Sequence, residues 1–146
     1  VGARINLIPD GDVAGALMTA LPGTGVDVLM GIGGTPEGVL AACALRCTGG
    51  TIQGKLWPRT PEEKKLGEER GYDFNKVLTI EDLVSSEDVF FAATGITNGE
   101  LLKGVDYFKE GAMTESVVMR GLTGTSRRII ATHRFTKLSQ ISAIPY

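Results

Sequence analysis

Residues 25–47 hold the strongest constraint in the chain. A continuous apolar run, GVDVLMGIG (25–33), passes through a glycine-rich turn into a second apolar stretch, TPEGVLAACALRC (35–47). The first run carries β-branched residues and is bounded by glycines, the pattern of a strand buried on both faces. The second predicts a helix. Thr35 suits an N-cap, Pro36 the first helical position, and Gly49-Gly50 the stop. A strand covered on both faces needs helices packed above and below it, which selects layered α/β architectures.

The same alternation recurs along the chain. ARINLIP (3–9) predicts a strand and DVAGALMTAL (12–21) a short apolar helix. TIQGKLWP (51–58) predicts a strand stopped by Pro58. Thr60, Pro61 and Glu63 form a capping-box pattern opening a polar helix over 60–71, whose charge run reads as a solvated face. KVLTI (76–80) predicts a short strand, Thr79 with Asp82 a second capping pair, and DVFFAATG (88–95) another buried strand. TNGELLKG (97–104) predicts a turn and one helical turn. TESVVMRG (114–121) and TSRRIIATHRF (125–135) predict two strands joined by the tight turn GLTG. The expected fold class is therefore α/β: a layered sandwich with a largely parallel sheet, flanking helices and a C-terminal β-hairpin, in one domain over 1–146.

Charge and composition narrow the function. A net charge of −2 and a pI near 5.4 exclude the basic excess of a nucleic-acid binder. No apolar run approaches the roughly 18 residues of a membrane span, and no signal-peptide pattern opens the chain. A cytoplasmic location without a membrane partner is expected. The sequence begins at Val1 and enters a strand at once, as a fragment or processed chain would. Cys43 and Cys47 stand four apart on one helical face and read as buried, reduced thiols. A metal site built on them would need further Cys or His ligands, and the chain has one His. That His133 reads as structural or surface, and Trp57, before Pro58, as a packing residue at a strand end.

In open α/β sheets ligands bind beyond the carboxyl ends of the strands. Two such ends carry unusual residues. PDGD (9–12) places Asp10 and Asp12 around a glycine just before a helix. GIGGTPEG (31–38) combines four glycines, which admit a ligand close to the backbone, with a helix N-terminus that suits phosphate. Each feature also has a plain structural reading: the aspartates as helix caps, and Glu37 as a carboxylate favoured by the helix dipole. The turn lacks the Lys-Ser/Thr of a P-loop, and Pro36 occupies the third glycine position of a dinucleotide fingerprint.

LIPDGDVAGALMT (7–19), GVDVLMGIGGTPEGVLAACALRC (25–47), VFFAATGIT with GELLKGV (89–105) and TESVVMRGLTGTSRRI (114–129) together resemble the C-terminal half of the class II fructose-1,6-bisphosphatases. These are bacterial enzymes of the lithium-sensitive sugar and inositol phosphatase superfamily. The resemblance runs from about Ala3 to Arg134. It implies one half of an α/β/α/β/α sandwich with the active site between two halves. It also implies that most metal-binding carboxylates, the residue activating water and the basic residues gripping phosphate belong to an N-terminal half outside this chain. No catalytic residue is then expected here, and the isolated chain is expected to be inactive. The resemblance assigns Asp10, Gly11 and Asp12 to the sugar, Gly34 to backbone contact with the substrate, and Glu37 to a metal site.

The implied reaction is hydrolysis of the 1-phosphate of fructose 1,6-bisphosphate, in gluconeogenesis. The implied cofactor is Mn²⁺ or Mg²⁺, and the implied partners are the N-terminal half and further copies of the enzyme. Charge agrees with this. An acidic pocket would repel a bisphosphate unless a hard divalent cation stood between carboxylate and phosphate. Two other readings remain open: a stand-alone phosphosugar-binding or regulatory module without catalysis, and a nucleotide-binding α/β domain.

Overall fold

A computed structural model describes residues 2–142. In chain order its elements are α1 (Asp12–Met18), α2 (Thr35–Thr48), α3 (Pro61–Glu69), α4 (Ile80–Leu83), β1 (Phe90–Thr94), β2 (Asp106–Phe108), β3 (Gly111–Arg120), β4 (Thr125–Arg134) and α5 (Phe135–Leu138).

The helices follow their sequence signals closely. At α2 the cap is Gly34, one residue before the expected Thr35, and Gly49 ends the helix at φ 75°. Thr60 Oγ1 accepts from the Glu63 amide at 3.2 Å, while the Glu63 carboxylate accepts from the Arg59 amide at 2.7 Å. The capping box of α3 thus closes one residue early. At α4 the Asp82 carboxylate accepts from the Thr79 amide at 2.9 Å, as the capping pair predicts. A hydrogen bond from Lys76, with that amide bond, holds the Asp82 carboxyl below the usual carboxylate range. No helical turn forms over 97–104.

The sheet departs from the expectation of largely parallel pairing. All of its pairings among the described residues are antiparallel and all run through β3. One edge of β3 pairs with β4 along its whole length, from Gly111 opposite Arg134 to Arg120 opposite Thr125. The other edge takes β1, with Phe91 opposite Met119, and the short β2, with Asp106 opposite Met113. The C-terminal hairpin forms where expected. Its 121–124 turn closes by a Gly124 N–H to Gly121 carbonyl bond of 3.1 Å, with Gly124 at φ 59°. The strands expected at 3–9, 25–33, 51–58 and 76–80 join no ladder beyond a single bridge, Gly54 with Leu78, and Ile80 instead opens α4. A strand is defined by its partner. These segments have strand composition, but the partners that would make a parallel sheet are not among the described residues.

The core lies between the helices and one face of the sheet. Alternation along β3 buries Val117 and Met119, which pack with Phe91 of β1, Leu17 of α1, Ala44 and Cys47 of α2, and Leu102. A second cluster joins Ala16, Ala41, Ala42 and Leu45 to Ile80 and Val84. Alanines of α1 and α2 fill this cluster, and Asp12 at the start of α1 lies beside Gly33, just before α2. Burial, with the neighbouring Cys43 adding, pushes the Cys47 thiol up, as an unreactive core cysteine requires. On β3 the buried Glu115 is held by Arg128 at 2.9 Å and by the Lys103 amide at 2.7 Å.

Gly111 opens β3 where a Cβ would collide with the His133 carbonyl oxygen of β4. That atom is backbone in a paired strand and cannot step aside. Gly111→Ala is therefore expected to cost about 1–3 kcal/mol, the scale of overpacking. Urea unfolding of the variant checks this, and an unchanged midpoint would show that the hairpin end gives way freely.

Candidate functional site

The two glycine turns flagged by the sequence open onto one cleft of about 640 Å³, a size suited to a small phosphorylated ligand. Its floor is the 29–34 segment and the start of α2, with Asp12, Gly33, Gly34, Thr35 and Glu37 on its lining. The turn sits where it does because Leu29 and Ile8 pack against Gly15 of α1. A Cβ at Gly15 would meet the Ile8 side chain at 3.0 Å and that of Leu29 at 3.4 Å. Ile5, Leu7, Val28, Met30 and Ile32 of the same segments are exposed, and Ile8 and Leu29 are themselves 41% and 39% exposed.

The carboxylates are fitted to the glycines. A Cβ at Gly33 would stand 2.8 Å from Asp12 Oδ2, and a Cβ at Gly34 would run into Glu37 Oε2. The missing side chains leave room for the Asp12 and Glu37 carboxylates beside the turn. Glu37 lies in the first turn of α2, where the helix dipole favours a negative charge. Thr35 and Glu37 contribute N–H groups that the helix itself leaves without partners.

Asp12, Gly34 and Glu37 are thus brought together. Gly11 and Asp10 stand on the adjoining turn, outside the cleft lining. Gly11 adopts φ 80° as the N-cap of α1, a left-handed conformation that favours glycine, and its carbonyl accepts from the Gly15 amide at 2.9 Å.

Sequence reasoning missed a second segment on the cleft. Gln53, Lys55, Trp57 and Arg59 also line the cleft. Ile52, Gly54 and Leu56 line it too, so the segment borders the cleft along its length and not by one face. No motif in the segment marks its residues as cleft lining. Trp57 is 73% exposed and is not the packing residue expected. His133 is structural as expected, its Nε2 lying 2.9 Å from Thr114 Oγ1 across the hairpin.

Among the described residues no three His, Cys, Asp or Glu side chains converge as a complete metal-holding group. The donors present still suit a hard divalent cation. Mg²⁺ is commonly held by one or two carboxylates, with substrate phosphate and water completing its shell.

The family model of bacterial, glpX-encoded fructose-1,6-bisphosphatase matches residues 1–133. The chain belongs to this family. It is 44% identical to the fructose-1,6-bisphosphatase class 2 of Haemophilus influenzae, over 97% of the chain and 46% of that relative. It is 43% identical, over 90% of the chain and 42% of the relative, to a D-fructose 1,6-bisphosphatase class 2/sedoheptulose 1,7-bisphosphatase of Synechococcus sp. (strain JA-2-3B'a(2-13)). The chain spans somewhat less than half the length of these curated glpX-family relatives. Among its described residues no helix is long and apolar enough to cross a membrane.

Proposed function

We propose that residues 1–146 form one domain, the substrate-binding half of a phosphatase that hydrolyses the 1-phosphate of fructose 1,6-bisphosphate to fructose 6-phosphate and phosphate. The observation that carries this reading is the convergence of Asp12 and Glu37 on the Gly33-Gly34 turn, in a chain of the glpX family. The same family supports catalysis over a binding module without it. The residues that activate water and grip the reacting phosphate belong to a further half, which would cover the exposed Ile5, Leu7, Val28, Met30 and Ile32 face. The active enzyme is a cytoplasmic homo-oligomer.

Glu37 would hold a divalent cation, Mn²⁺ or Mg²⁺, and Gly34 lets substrate approach beside it. When bound, the cation supplies charge neutralisation and polarisation of the phosphoryl oxygens. Glu37 itself fixes where positive charge can sit in the cleft. The α2 amides favour an anionic oxygen at the same end. Asp12 accepts hydrogen bonds from sugar hydroxyls, which needs no counter-ion, and Asp10 and Gly11 contact the sugar from the adjoining turn.

The test is phosphate release from fructose 1,6-bisphosphate by the full-length protein with Mn²⁺ or Mg²⁺. No release would sink the reading. Asp12→Ala should weaken transition-state stabilisation by about 1.5–3 kcal/mol, the scale of a hydrogen bond to a charged group. The metal activation curve should hold its position. A shifted metal curve with intact substrate dependence would move Asp12 from the sugar to the metal.

A further inference from the structure

The two borders of the sheet differ. On one side of β3 the pairing strands are short, five residues in β1 and three in β2. On the other side β4 pairs along ten residues without a bulge, and its far edge has no partner among the described residues. Long unpaired edges are templates for further pairing, and folds usually blunt them by shortness, proline, lysine or bulges. TSRRIIATHR (125–134) has no proline or lysine and carries Ile129 and Ile130 at its centre, 44% and 69% exposed. Arg128 is drawn back over its own sheet by Glu115 and by the Leu101 carbonyl, each at 2.9 Å.

The backbone pattern shows which groups this edge offers. The Gly121 amide donates to the Val89 carbonyl at 2.9 Å, so the odd residues of β3 bond toward β1 and its even residues toward β4. The register carries this to the odd residues of β4, and the Phe135 amide, bonded to the Glu110 carbonyl at 3.0 Å, continues it. The N–H and C=O groups of Ser126, Arg128, Ile130 and Thr132 therefore point to the open edge.

We propose that β4 is the interface between two copies of this chain, each β4 running antiparallel to the other about a twofold axis at Ile129. A twofold contact uses the same surface on both copies. In this register Ser126 faces the copy's Thr132, Arg128 the copy's Ile130, and Arg127 the copy's Ala131. Each outward N–H and C=O of the four named residues meets one on the copy. Like charges directly opposite would be destabilising, and here Arg127 and Arg128 both stand opposite neutral residues. A strand of other sequence would instead have to bring carboxylates to these arginines. The proposal rests on the homo-oligomer of the functional reading and supplies its interface.

The experiment is sedimentation of the full-length protein over a range of concentrations. Ile130→Pro removes an outward amide and leaves the β3–β4 bonds in place. It should raise the dissociation constant between copies at least about tenfold. Ile129→Cys, treated with copper phenanthroline, should cross-link two copies at the axis, where facing Cα atoms lie about 4.5 Å apart. Arg127→Cys, displaced along the strand from its own copy, should not.

A monomeric wild type overturns the interface and the homo-oligomer together. An oligomer that Ile130→Pro leaves intact, or equal cross-linking of Ile129→Cys and Arg127→Cys, overturns the interface alone and gives the edge to another segment of the full-length protein. If Ile130→Pro does not fold, the cross-linking pair decides. Phosphate release is measured apart from sedimentation, so its absence fails the phosphatase reading without moving these outcomes.

Discussion

Glu37→Gln in the full-length protein is expected to lower phosphate release from fructose 1,6-bisphosphate by roughly a hundredfold or more at fixed metal concentration, the scale of losing a charged transition-state contact. The change keeps the shape of the side chain beside Gly34 and removes only its charge. As a metal ligand, Glu37 would lose metal affinity and turnover together, and added metal would recover part of the rate. As a helix-dipole residue it would cost only about 0.3–1 kcal/mol of stability and leave catalysis intact. Activity measured across a metal titration, with melting curves alongside, separates the two. Normal turnover at the wild-type metal concentration with a slightly lower melting temperature would leave Glu37 as a dipole residue alone.

The largest loss of stability is expected at Leu17. Its side chain is 0% exposed and sits where α1 meets α2, β1 and β3. Leu17→Ala removes the transfer term of the side chain and leaves a cavity among Ala44, Cys47, Phe91 and Met119. Ala44 is already minimal, and Met119 and Phe91 are held in register by the β1–β3 ladder. The site can therefore collapse only in part, and the cost should reach about 3–5 kcal/mol, the upper part of the range for such truncations. Chemical denaturation of the variant checks this. A loss below about 1.5 kcal/mol would mean that the helix layer slides to fill the space.

Local signals in the sequence mark the helices and the hairpin, and strand pairing has no such local mark. The caps at Thr60 and Thr79, the Gly49 stop, the C-terminal hairpin and the α2 helix are properties of a few adjacent residues, and they appear within a residue or so of where they are expected. Strand direction is a property of partners distant in sequence. The 25–33 run has the composition of a buried parallel strand, yet Val28, Met30 and Ile32 are exposed and the segment joins no ladder. β2 is only three residues long, and its Asp106–Phe108 sequence carries no strand pattern to find.

At the site, glycine turns and carboxylates marked Asp12, Gly34 and Glu37 because each has a local reason to be unusual. The 53–59 row escaped notice because every one of its residues is ordinary by itself. Only the fold, which brings this segment to the same cleft as the start of α2, makes them part of its lining.

The single role of β3 bears on which length changes the chain can absorb. All three of its neighbours take their alignment from it. Deleting one residue near its middle would shift part of the strand by one position against β4 and against β1 or β2 together. It would also turn Val117 and Met119 from the helix layer toward the opposite face. A residue added to the 121–124 turn changes only the crossing from β3 to β4, and one added between β1 and β2 alters a connection without moving a ladder. Drift in chain length should therefore gather in the connections and spare the ten residues from Gly111 to Arg120. The strand serves as the common ruler of the sheet.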